Sequence, residues 1–184
     1  MGVTMLNSRL AEIRQQANPP FTGASAGYGD FFVAKTKNAF GVDASSKIDG
    51  IELAMKTILE ETERARRFGF TETEYDRARA NYLQRVESAY NEREKMKNDT
   101  YVNEYISNFL DNEPMPGIEY EYAMMNQLAP NIPVAAINQV MQQLITDNNQ
   151  VVLLAGPEKE GVKYPTKEEI AALLKQMKSF DLKP

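Results

Sequence analysis

Phe21-Thr-Gly-Ala-Ser-Ala-Gly-Tyr28, Phe31-Phe-Val-Ala-Lys-Thr36 and Ala39-Phe-Gly-Val-Asp-Ala44 follow one another within residues 21–44, and their small, β-branched and aromatic residues read as three short strands. Gly29-Asp30 and Lys37-Asn38 are the turn residues that separate them, and connections this brief favour an antiparallel meander. Gly23, Gly27, Gly29 and Gly41 form no phosphate-binding fingerprint, because no helix opens where a phosphate would need its N-terminus. They are strand and turn glycines.

The flanking sequence is helical. Upstream, Leu6, Leu10 and Ile13 share a face over residues 5–16, which stop before Asn18-Pro19-Pro20. A helix so close to residue 1 needs apolar partners, which raises the expectation of a piece excised from a longer protein, truncated at its N-terminal side. Downstream, Asp49 is placed to cap a helix lined by Ile51, Met55, Ile58, Leu59 and Thr62 that stops near Gly69. Thr71 and Glu74 then form a capping box that opens a segment with Tyr75, Ala78, Tyr82, Val86 and Ala89 on one face. Val102, Tyr105, Ile106, Phe109 and Leu110 form a further apolar set before Glu113-Pro114, either as a second helix or as the end of a bent one. Shorter helices are expected over 117–128 and from Pro133 to Ile145, where Asp147-Asn-Asn149 breaks the chain.

Gln150-Val-Val-Leu-Leu-Ala-Gly156 is a continuous apolar run bounded by turn formers, which fits a buried strand returning to the same sheet after the helical excursion. The expected class is therefore α+β, an antiparallel sheet covered by helices. Past Gly156-Pro157 the sequence turns charged. Thr166 and Glu169 form a second capping box, ahead of Ile170, Leu173, Leu174 and Met177. The domain is assigned to 1–158 and an interdomain connector with a helix to 159–184.

Composition removes whole classes of chemistry. The 184 residues contain no histidine and no cysteine, which between them supply the nitrogen and sulfur ligands of zinc and the commonest general base. Carboxylates alone could still bind magnesium or calcium, or work in pairs. A net charge of −5 and the absence of a dense Lys/Arg block disfavour nucleic acid. No stretch is long and apolar enough for a membrane span. The lack of cysteine fits a cytoplasmic or an envelope setting equally.

Glu60, Glu61 and Glu63, and again Glu72, Glu74 and Asp76, could be imagined as carboxylate sites, but their interleaving with arginine is the pattern of a solvated helix face. Tyr75 and Tyr82 read as core residues with rim hydroxyls, and Met124-Met125 as filler of a core or interface. Tyr120 and Tyr122, beside Gly117, stay open between packing and peptide or carbohydrate contact. Ser45-Ser46 and Asp99-Thr100 lack a base that could activate a hydroxyl and suit helix capping better. No residue is assigned as catalytic, cofactor-binding or metal-ligating.

The order of features nevertheless carries a resemblance. Leu6-Asn-Ser-Arg-Leu-Ala-Glu-Ile-Arg14, then Phe21-Thr-Gly-Ala-Ser-Ala-Gly, then Phe40-Gly-Val-Asp-Ala44, then Arg67-Phe-Gly-Phe-Thr-Glu-Thr-Glu-Tyr-Asp-Arg-Ala-Arg79 together resemble the pitrilysin/insulinase type of zinc metallopeptidase. The likeness is to the second, non-catalytic domain in the N-terminal half of a long bacterial member, and it covers roughly residues 5–158. In that family an inverted zinc motif, H-x-x-E-H, lies in the first domain. A chain without histidine cannot contain it, so the resemblance implies no zinc in this segment and zinc in the full-length enzyme. It also implies an α+β domain that partners a catalytic domain of the same polypeptide or complex, walls a peptide-substrate chamber and works in the periplasm or cell envelope. Two other readings are a free-standing peptidase-like module that binds a protein or peptide, and a carboxylate-based hydrolase.

Overall fold

The computed structural model describes residues 1–31, 34–158 and 161–184. Helix α1 (Gly2–Arg14) leads into strands β1 (Gly23–Phe31) and β2 (Ala34–Ser45), and six helices follow: α2 (Ile51–Phe68), α3 (Glu72–Asn91), α4 (Asn98–Asp111), α5 (Ile118–Leu128), α6 (Val134–Leu144) and α7 (Lys167–Met177). Residues 1–72 with 134–184 form one compact unit, and residues 73–133 form a second.

The α+β class holds, but the sheet has two strands rather than a meander with a returning member. Gly23 pairs with Ser45 and the register continues through Tyr28 opposite Phe40, with an irregularity between Asp30 and Phe31. Gly29-Asp30 and Lys37-Asn38, expected as turns, lie inside β1 and β2, where Gly29 faces Ala39 and Asp30 faces Asn38. Turn propensity is a local bias, and cross-strand pairing along a long hairpin overrides it. The expected middle strand, Phe31 to Thr36, falls in part on residues 32–33, outside the described residues.

Small side chains on β1 let α1 lie close against it. Ala26 is buried, as are Met5, Leu6 and Leu10 of α1 and Phe21 just ahead of the strand. The Asn7 amide fixes the approach: its nitrogen donates to the Ala26 carbonyl at 2.9 Å, and its oxygen accepts from the Ala26 N–H at 2.7 Å. The side chain thus does for Ala26 what a third strand would do, satisfying backbone groups that would otherwise be orphaned under a helix.

Helix α2 begins at Ile51 after a tight turn over Ile48–Gly50, with Gly50 as its N-cap and no side-chain cap. Asp49 is therefore not the cap expected of it; it sits inside the preceding turn. Helix α2 packs on β2, α6 and α7, and α6 also meets α1, where Met141 lies over Gly2. Helix α7 starts with the expected capping box: Glu169 N–H donates to the Thr166 hydroxyl at 3.2 Å and Thr166 N–H to the Glu169 carboxylate at 2.8 Å.

The second unit answers the question of one bent helix or two. A turn over Arg93–Lys95 separates α3 from α4. Tyr90 on α3 stacks on Tyr122 of α5 with ring centroids 4.4 Å apart. The Arg93 guanidinium covers the Tyr90 ring at 4.3 Å and reaches Glu119 at 3.1 Å. Tyr75 is buried, with its hydroxyl donating to the Ile132 carbonyl at 2.7 Å.

Two apolar segments lack cover, and the second overturns an expectation. The apolar set on α4 is exposed. The run at 150–156 forms no strand, and Val151 and Leu153 are 70% and 74% exposed. A strand of this kind needs a neighbour to satisfy its backbone and cover on both faces, and it has no strand partner among the described residues.

Candidate functional site

The helix break over Arg67-Phe-Gly-Phe-Thr71, which opens the stretch on which the resemblance leans most, is held by several helices of the first unit. Helix α2 ends at Phe68, and Gly69 follows with φ 69° and ψ −150°, a conformation open almost solely to glycine. That turn presents the backbone of Phe70 to α6. Asn138 accepts from the Phe70 N–H at 2.8 Å and donates to its carbonyl at 3.1 Å, the same two-point clasp that Asn7 makes on Ala26. From α1, Arg9 donates to the Gly69 carbonyl at 3.0 Å and lies over the Phe70 ring at 4.7 Å. Three helices and one loop are thereby held through a single dipeptide.

Immediately before it lies the one buried carboxylate among the described residues. Glu63 is fully inaccessible, accepting from Arg66 at 2.6 and 2.7 Å and also from Arg67. Burial alone would push its carboxyl up, but the hydrogen bonds from Arg66 and Arg67 and their charges outweigh burial and hold it below the ordinary carboxylate value. The same pairing raises Arg66. Arg67 then extends to the end of α7, donating to the carbonyls of Met177 at 3.0 Å, Lys178 at 2.8 Å and Phe180 at 2.9 Å. Cationic capping of a helix C-terminus satisfies carbonyls the helix leaves open. Lys178 adds an ion pair to Asp147 at 3.1 Å.

Three of the other carboxylates singled out in the sequence are likewise drawn into helix-surface pairs. Glu60 faces Lys56 at 3.7 Å, Glu61 holds Arg64 at 3.0 Å, and Asp76 holds Arg79 at 2.7 Å. Among the described residues no group of three His, Cys, Asp or Glu could hold a metal ion. Zinc does not fit the described donors, since Glu61, Glu63 and Asp76 are engaged by arginine and the sequence offers neither imidazole nor thiolate.

The hydroxyl candidates are not brought together. Ser46 donates to the Lys47 carbonyl at 2.9 Å, and Ser45 contributes its carbonyl to Thr22. Asp99 sits in the first turn of α4, whose N-cap is Lys97 without a side-chain bond, so neither Ser46 nor Asp99 caps as expected. The Thr100 side chain lies outside the described parts. Met124 and Met125 are half-buried, Tyr122 is spent in the stack on Tyr90, and Tyr120 is exposed. Sequence reasoning missed Asn7 and Asn138. An asparagine inside a helix is a weak signal for such a clasp, since nothing in spacing tells which backbone it will meet.

Comparison with known proteins gives a consistent picture. No protein-family model matches. The chain is 29% identical over 153 residues to a protein from Arabidopsis thaliana named "Zinc protease PQQL-like", covering 83% of this chain and 13% of that protein. Its fold matches the periplasmic protease PqqL from Escherichia coli with a TM-score of 0.79 at 21% identity, over 98% of this chain and 20% of that one. The structure of the first half of PqqL matches equally well, at 19% identity and 39% coverage of that chain. An insulinase-family protease from Yersinia pestis matches with a TM-score of 0.75 at 12% identity. The chain thus spans a small part of each relative. These findings show a fold shared with part of these protease chains, helix-rich with a two-stranded antiparallel sheet, and a sequence similar to part of a protein named a zinc protease.

Proposed function

We propose that this chain is a non-catalytic domain of a longer zinc metalloendopeptidase, walling part of its substrate chamber while another domain carries the metal and cuts the peptide bond. The observation that carries this reading is a mismatch. The chain is similar to part of a protein named a zinc protease, yet its residues include no histidine or cysteine and no described carboxylate cluster able to hold a metal. In this reading residues 1–158 are the peptidase-like domain and residues 159–184 the connector, anchored at its end by Arg67. The relevant partners are the catalytic domain and the peptide substrate. The periplasm is the proposed compartment, since that is where the PqqL neighbours are described. No described helix is long and apolar enough to cross a membrane.

Reading the gene beyond both ends tests the proposal. An H-x-x-E-H motif upstream in the same frame is the expected result. Native termini at residues 1 and 184 would refute it, as would tightly held stoichiometric zinc or peptidase activity in the isolated chain.

A further inference from the structure

Val102, Tyr105, Ile106, Phe109 and Leu110 recur at the three- and four-residue spacing of a helix face built for packing. On α4 they are 48%, 59%, 50%, 85% and 58% exposed. Together they line one open hollow of about 350 Å³. A contiguous apolar surface of this kind marks a contact site.

Charge identifies what would cover it. From Asn98 to Glu158 the sequence contains no lysine or arginine, a run of 61 residues. Asp99, Glu104 and Asp111 lie on α4 itself and Glu113 follows just after its end. Residues 73–133 hold eleven acidic and six basic side chains, a net of −5 that equals the charge of the whole chain. A second copy docked by the same face would set acid against acid, and an anionic membrane surface would be repelled in the same way. The complementary occupant is an apolar helix flanked by lysine or arginine. A helix suits the groove because its anchors repeat at the spacing that α4 itself presents.

We propose that the α4 face is the docking surface for a cationic amphipathic helix belonging to the remainder of the longer polypeptide. The occupant's source rests on the function proposed above; the chemistry of the surface does not.

The test uses the full 184-residue chain and two labelled synthetic helical peptides of about 18 residues, each with leucine anchors at the i, i+3, i+4, i+7 spacing. One carries lysine on its polar face and the other glutamate. Fluorescence anisotropy is expected to give the lysine peptide about tenfold tighter binding, with the preference shrinking as salt is raised. Phe109→Ser should abolish most of that binding without unfolding the chain, because Phe109 is exposed, and Glu104→Lys should erase the preference for lysine. Equal affinity for both peptides, or binding unchanged in Phe109→Ser, overturns the proposal. A dimer in sedimentation that Phe109→Ser disrupts would make a second copy the occupant, and a lower Tm in that variant would place the cover within the chain. Either result overturns it. None of these outcomes touches the upstream zinc motif, which tests the proposed function separately.

Discussion

Replacing Gly69 with alanine should cost the first unit far more than one methyl group suggests. The backbone there, at φ 69° and ψ −150°, lies in a region that costs a residue with a Cβ about 1–3 kcal/mol. A Cβ would also stand 2.5 Å from Nδ2 and 2.6 Å from Oδ1 of Asn138, and against its Cγ. Asn138 cannot yield without releasing both hydrogen bonds to Phe70, each worth about 0.5–1.5 kcal/mol. The combined loss is about 2–6 kcal/mol, which for a chain of this size lowers Tm by roughly 5–20 °C. Chemical denaturation followed by far-UV circular dichroism reads the loss. Repeating it on Asn138→Ala separates the two causes, since removing the amide leaves only the backbone contribution and Gly69→Ala should then cost about 1–3 kcal/mol. A loss under about 0.5 kcal/mol, within the range of an ordinary surface change, would refute the glycine requirement. Strict additivity of the two substitutions would refute the steric coupling.

Arg67→Ala should free the end of α7, since three carbonyls at 177, 178 and 180 lose their donor; hydrogen exchange is expected to accelerate over α7 while α1 keeps its protection. Glu63 has a folded-state carboxyl held below its ordinary value of 4.5, so the stability it contributes is fully present above that value and is lost as pH falls through the lower folded one. The stability difference between the native chain and Glu63→Gln should accordingly be constant near neutral pH and shrink on acidification, and a difference that grew in acid would contradict the arginine pairing. Tyr122→Leu removes the stack on Tyr90 and should destabilise the second unit by about 0.5–1.5 kcal/mol, measured by near-ultraviolet circular dichroism during unfolding. Added zinc should leave Tm unchanged, because no described carboxylate cluster and no imidazole or thiolate is present to receive it.

How far the sequence could be read depended on whether a signal was satisfied locally. Apolar spacing located the helices well: Leu6 and Leu10 are buried on α1, Tyr75 is buried on α3, and Met177 is buried on α7 behind the expected capping box. Gly69 stopped its helix where the pattern ended. The site was less legible, because the Gly69-Phe70 dipeptide is knit by Arg9 and by Asn7's counterpart Asn138, residues that lie up to 69 positions away from Gly69. Glu63 read as a member of a solvated face since its arginines follow at the spacing of surface pairs. Only the tertiary packing of α2 distinguishes a pair in water from one shielded by neighbouring helices.

The exposure of two apolar segments has one physical origin. Val102 to Leu110 has the period of a packed helix face, and Gln150 to Ala155 has the continuous apolar character of an inner strand, yet both are exposed. Periodicity reports that a surface requires cover; it carries no information on which segment provides it. For the strand run the requirement is doubled, because backbone groups in an extended segment need a paired neighbour as well as apolar contact. In β1 the corresponding need at Ala26 is met from within the chain by Asn7, and the strand stays legible. At Val151 and Leu153 no strand pairing among the described residues meets it. The same sequence character thus yields a strand in one place and an exposed segment in the other, and the difference lies in the partner, not in the residues that ask for one.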